Sequence, residues 1–294
     1  MLYLVLSVCC SVLLGFAFKL FPRFGIDRFQ AIVFNYCTCV ICGWIHLGRF
    51  PIAAEGLSAP WLPFAVFLGF VFIGGFNSAA LTVQYFGVTI SQVMQKMSIL
   101  ITVPFAILVY HESSGISKII GICVALLAIV LVNWPSQAPS NGQVDATKRS
   151  NYFMILLPLI TWLLSGVIEV VLLHVQDRRM IDPQSPAFIT TVFGVAALLG
   201  LGISAEGWRT HRMQFAWRNV LGGIILGIPN YGSMLFMIMA LGSGLEGSFV
   251  FPAMNVSIIL LTTIGAVALF HEKLGRLNWL GIIFALVAIA LISI

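Results

Sequence analysis

MQKMSILITVPFAILVYHESSGISKIIGICVALLAIVL, residues 94–131, returns at residues 254–291 as MNVSIILLTTIGAVALFHEKLGRLNWLGIIFALVAIAL. Without gaps the two stretches agree at 15 of 38 positions. Among these are His111-Glu112 on His271-Glu272, Gly115 on Gly275 and Gly121-Ile122 on Gly281-Ile282. Apolar composition inflates chance matches, but a His-Glu pair and two glycines in register do not come from composition alone. Further upstream Gly69, Gly74 and Asn77 match Gly222, Gly227 and Asn230 at a slightly different offset. The chain carries an internal repeat.

The material being repeated is apolar. Of 294 residues 60% are hydrophobic and 9% charged, against about 45–50% and about 25% in soluble domains. So few charges cannot cover a globule with a water-compatible surface, which excludes a soluble fold. Disordered and coiled-coil readings fall for the same reason. A helix needs roughly 20 apolar residues to cross about 30 Å of hydrocarbon. Apolar runs lie at 2–21, 29–48, 61–86, 90–110 and 115–134, then at 152–174, 186–205, 217–240, 247–270 and 275–294. The predicted fold is an all-α membrane protein of ten transmembrane helices. Residues 1–134 form a first five-helix repeat, 135–151 (PSQAPSNGQVDATKRSN) a linker, and 152–294 a second repeat. With an odd number of spans per repeat the second half enters the membrane upside down, an architecture that recurs in secondary transporters. Met1 to Leu20 lacks a basic n-region and a cleavage pattern, so it is expected to be a retained span.

The net charge of +5 reports on membrane topology and lipid rather than on nucleic acid, since no basic run with interleaved aromatics occurs. Loops after odd-numbered spans carry ten Lys/Arg and those after even-numbered spans four, which by the positive-inside rule puts both termini outside. Cys37, Cys39 and Cys42 are spaced C-x-C-x-x-C, but no carboxylate completes a metal site. Helix packing is the expectation, with no metal and no cofactor. Gly242–Gly247 fits G-x-G-x-x-G but follows a span rather than a strand, and reads as a turn. The His-Glu pairs lack the second histidine of a zinc motif and are expected to satisfy helix ends.

Lys96 and Glu169 lie well inside apolar runs, and an intramembrane charge is a functional candidate by default. Gln92, Gln95 and Lys96 share a helix face. So do Thr161, Ser165 and Glu169, and likewise Asn77 and Gln84. In straight, upright helices Lys96 and Glu169 stand roughly 13 Å apart along the membrane normal, too far for a close ion pair. Pro104, Pro158 and Pro229 interrupt spans, where a broken helix can expose backbone to a cavity. The candidate solute-binding residues are Lys96, Asn77, Asn230, Gln92, Gln95, Gln84, Glu169, Tyr231 and Asn255.

On these residues the chain resembles ten-helix members of the drug/metabolite transporter superfamily, of the EamA-like type. The resemblance covers essentially the whole chain. It rests on the two five-span repeats, on the HE-x-x-G endings at His111–Gly115 and His271–Gly275, and on the strings FGVTISQVMQKMSILITVP and GIPNYGSMLFMIMALGSGLEGSFVFPAMN. It implies two inverted bundles around a central cavity, small-metabolite substrates such as amino acids, and cytoplasmic termini, opposite to the charge count.

The function expected is a secondary carrier moving a small polar or amphipathic metabolite, such as an amino acid or related carboxylate, by alternating access. It would reside as a multi-pass protein of the bacterial plasma (inner) membrane. Expected partners are the solute, membrane lipid and a coupling ion or counter-substrate, in a monomer or dimer. A pore or scaffold is the alternative, and rings of like polar groups are not evident. An intramembrane enzyme would need a constellation such as Ser243 with His174 or His271, and no dedicated one emerges.

Overall fold

A computed structural model describes residues 1–48, 58–86, 88–134, 152–270 and 274–292. These form α1 (Leu2–Leu20), a short 3-10 turn (Phe21–Phe24), α2 (Arg28–Leu47), α3 (Leu62–Phe86), α4 (Val88–Lys96) and α5 (Ile99–Tyr110). There follow α6 (Ile116–Val132), α7 (Tyr152–Asp177), α8 (Ala187–Arg209), α9 (Trp217–Gly242), α10 (Gly247–Phe270) and α11 (Arg276–Ile292). No strand occurs among the described residues. Among the described residues eight stretches are long and apolar enough to cross a membrane, with α4 and α5 contributing one of them; α6 and α11 are apolar helices of 17 residues. The chain is a helical, multi-pass integral membrane protein.

Helix ends follow local chemistry. Asp27 precedes α2 and its Oδ1 accepts the Gln30 backbone N–H at 2.8 Å, satisfying one of the donors a helix start leaves free. Helix α5 stops at His111, which takes a left-handed φ of 54°. Its neighbour Glu112 reaches over to the start of α10, accepting from Gly247 N at 2.9 Å and Ser248 N at 2.7 Å. This matches the helix-end role expected for the first His-Glu pair; His271 and Glu272 lie outside the described residues. The G-x-G-x-x-G string is the turn between α9 and α10, with Gly244 at φ 83°.

The helices gather into two compact units, each drawing on both halves of the chain. The first comprises Met1–Ile73 and Val171–Leu245, the second Gly74–Val170 and Glu246–Ile294. In the first unit α9 packs on α1 and α2, and α2 also packs on α8. Close approach is made by glycine. A Cβ on Gly227 would stand 2.4 Å from Thr38 Cβ, and one on Gly223 2.3 Å from Phe34 Cβ. The small-residue face of α9 is thus spent on packing within the chain. In the second unit α11 lies along α6, and α10 packs on α5, α6 and α11. Their shared core holds Ala125, Ala128, Ala285 and Ala288 with Ile99, Ile129 and Val256.

Candidate functional site

The site in the second unit begins with a broken helix. Helix α4 ends at Lys96, Met97 and Ser98 form a turn, and α5 starts at Ile99. Ile101 N and Thr102 N both reach the Ser98 carbonyl, at 2.8 and 3.0 Å. The Met97 carbonyl accepts the indole N–H of Trp162 at 2.9 Å, so a polar group released by the break is paired, as apolar surroundings require. The three prolines that sequence marks as interruptions behave otherwise. Pro104, Pro158 and Pro229 lie inside continuous α5, α7 and α9. A proline removes a single helix bond, and membrane helices tolerate that loss.

At the break Lys96 Nζ donates to Asn255 Oδ1 at 3.0 Å, and Asn255 Nδ2 donates to Glu169 Oε1 at 3.2 Å. Thr102 Oγ1 donates to the other carboxylate oxygen at 2.6 Å. One amide therefore links the ammonium to the carboxylate, its acceptor toward the cation and its donor toward the anion. Asn255 is 2% exposed, whereas Lys96 and Glu169 are partly buried. No direct ion pair joins the two charges among the described residues, as the sequence estimate of roughly 13 Å along the normal implies; the connection through Asn255 is what that estimate missed. It compared backbone heights in upright helices and allowed neither for the length of the lysine side chain nor for a bridging residue. Ser98, one turn before Thr102, has a buried hydroxyl beside Glu169.

The other predicted residues fall elsewhere. Gln95 turns back on its own helix, its Nε2 donating to Ser91 O and Ser91 Oγ at 3.3 and 3.2 Å; Gln92 is exposed. Thr161 is drawn into a buried hydroxyl cluster with Ser78 and Thr82, at 2.7 and 2.9 Å. Asn77 is partly buried on α3 in the second unit. The side chain of Gln84 lies outside the described residues. Asn230 and Tyr231 belong to the first unit, where Asn230 Nδ2 donates to Asn35 Oδ1 at 3.1 Å and the Tyr231 hydroxyl lies 2.7 Å from His46 Nδ1. Cys39 donates its thiol to Gly227 O at 3.3 Å. Among the described residues no group of three His, Cys, Asp or Glu is placed to hold a metal.

Thr102, Ser98 and Trp162 escaped the sequence reading, as did Asn35 and His46. The available signal was spacing: Ser98, just before α5, and Thr102 within it are one turn apart, directly after an intramembrane lysine.

A second charged cluster holds the turns at one end of the same unit. Lys118, buried at 7% exposure, pairs with Glu246 and donates to Ser248 Oγ and Ser113 Oγ, both at 2.8 Å. Glu246 also accepts from Ser113 N at 3.2 Å and Ser113 Oγ at 2.5 Å. Partial burial alone would raise the Glu246 carboxyl. The hydrogen bonds from Lys118 and Ser113 together outweigh that and hold it below the ordinary glutamate value.

No family model matches the chain. An uncharacterised protein of Haemophilus influenzae is 29% identical over 295 residues, 97% of this chain and 95% of that protein. A Bacillus cereus protein named as a probable glucose uptake protein, GlcU, is 24% identical over 198 residues, 66% of this chain and 63% of that protein. A crystal structure of another protein matches 99% of this chain and 94% of its own with a TM-score of 0.73 at 13% identity. That last likeness is one of fold.

Proposed function

We propose that the chain is a secondary transporter of the drug/metabolite, EamA-like type, built from ten spans in two inverted repeats. It would carry a small polar solute across a bacterial plasma membrane by alternating access. The observation that carries this reading is the Lys96–Asn255–Glu169 bridge. A carrier must return empty, and a lone intramembrane charge resists that. Here the amide compensates both charges when no solute is present. A zwitterion such as an amino acid carries the same pattern, an anionic end for Lys96 and a cationic end for Glu169, and would compete with Asn255 for both. The Ser98 hydroxyl beside Glu169 offers a further contact. The repeat in the sequence and the bacterial relatives support the wider class. We read the chain as neither a pore nor an enzyme.

The name of the Bacillus cereus relative favours a second solute class, a neutral sugar, for which amides and hydroxyls are the useful groups. Counterflow in proteoliposomes tests both. Internal unlabelled amino acids should accelerate uptake of labelled amino acid, and Lys96→Met should abolish this. Acceleration by glucose instead, unchanged in Lys96→Met, would assign the sugar. No acceleration by any solute together with passive leak would leave a pore.

A further inference from the structure

Helix α8 ends in a way that opens a groove on the first unit. After Thr210 the chain reverses at His211, whose φ is 55°, and the N–H groups of Arg212 and Met213 both bond to Gly207 O at 2.9 and 3.1 Å. Met213 folds against Gly207, where a Cβ would meet its sulfur at 2.8 Å. The resulting groove has a volume of about 440 Å³. Its apolar part is made by Gly202, Ile203, Gly207 and Met213, and Glu206, Thr210 and Arg212 stand at the helix-end side. Nothing lies within 4 Å of a Cβ built on Gly202. Leu198, one turn earlier on the same face, is 72% exposed.

The charge at this end of the unit is one-sided. Asp27 N donates to Asn219 Oδ1, and Gln30 Nε2 donates to Gln214 O, both at 2.9 Å. These bonds tie the α1–α2 turn to the α8–α9 turn. The two turns carry Lys19, Arg23, Arg28, Arg209, Arg212 and Arg218 against Asp27 and Glu206. Glu206 is already paired with Arg209 at 3.1 Å, which leaves Arg212 without a carboxylate among the described residues. Trp208, Phe215 and Trp217 stack edge to face beside it, at 5.7 and 5.4 Å. Tryptophan and arginine together at the end of an apolar span mark the level of lipid headgroups.

We propose that this groove binds one anionic phospholipid, an acyl chain lying over Gly202, Ile203 and Met213 and the headgroup phosphate on Arg212. A soluble anion would use the arginine but not the apolar trough that runs from it about 12 Å down the helix. A zwitterionic lipid would fill the trough but gain little from the six cations.

The test is native mass spectrometry of the intact detergent-solubilised protein with phosphatidylglycerol, phosphatidylcholine or inorganic phosphate added. Phosphatidylglycerol should stay bound in preference to phosphatidylcholine. Arg212→Gln should weaken its retention about fivefold, and Gly202→Leu, which enters open space and leaves the fold intact, should reduce retention of both phospholipids. Retention unchanged in both variants, or displacement of the lipid by phosphate alone, would overturn the proposal.

Discussion

Gly121 and Gly281, equivalent in the sequence repeat, make equivalent contacts on each other's helices. A Cβ on Gly121 would meet Leu291 and Ile292 at 2.9 and 2.7 Å, and one on Gly281 would meet Leu131 and Val132 at 2.9 and 2.5 Å. Leu131 and Val132 are the repeat counterparts of Leu291 and Ile292. Each glycine near the start of one helix therefore accepts the end of the other, as two antiparallel helices packed along their length must. The first unit holds a similar exchange between α2 and α8. Gly43 lies against Thr190 and Gly200 against Val33, with ten residues between the paired positions on either helix.

Gly281→Ala should destabilise the protein by about 1–3 kcal/mol, the range for overpacking, because the added methyl meets the backbone nitrogen of Val132. Gly74→Ala, on α3 with nothing within 4 Å of the new atom, should be neutral or slightly stabilising. Thermal unfolding in detergent compares the two. Equal losses would remove the packing argument.

Removing one charge of the bridged pair should cost more than removing both. Lys96→Met leaves Glu169 uncompensated and Glu169→Gln leaves Lys96 so, whereas the double variant leaves neither. A double-mutant cycle on unfolding free energy should return a coupling above about 0.5 kcal/mol. Additive losses would mean that Asn255 does not connect them.

Loss of the Glu112 carboxylate frees two backbone donors at the start of α10. Glu112→Ala should cost about 0.5–2 kcal/mol, with Glu112→Gln in between since one acceptor survives. Hydrogen exchange of the Gly247 and Ser248 amides should rise in the alanine variant. No local change would show that the α10 terminus is held by other contacts.

Acid should loosen the α5–α6 and α9–α10 turns through Glu246. Its folded-state carboxyl sits below the ordinary value of 4.5. The stabilisation is therefore present above that value and is lost as pH falls through the lower folded one. The carboxyl is 39% exposed, so solvent screening keeps the contribution small. Glu246→Gln should unfold at a lower temperature than wild type at pH 7, the gap closing below about pH 4. A gap that is constant with pH would point to packing rather than to charge.

The helix positions were readable because lipid demands uninterrupted apolar runs. Every long run marked in the sequence corresponds to a described helix or, at 90–110, to the pair α4 and α5. Lys96, Glu169 and Asn255 were readable as polar groups in apolar surroundings. Their mutual contact was not, since it depends on tilt and on the reach of side chains from three helices. The break at Met97–Ser98 carries no proline and is stabilised by an indole from α7, so nothing local announces it. The composition of the two units was equally hidden. Two of their three boundaries fall within α3 and α7, where the hydrophobic pattern runs on unchanged.

Because α6 finds its partner in α11, the order of synthesis leaves it waiting. The first unit has all its helices once Leu245 has been made, but the second requires the last helix of the chain. At about 5–20 residues per second, α6 spends roughly ten to thirty seconds in the bilayer with its glycine and alanine face uncovered. Membrane insertases and quality-control proteases would meet the chain in that interval, and truncations just short of α11 should be the ones they clear fastest.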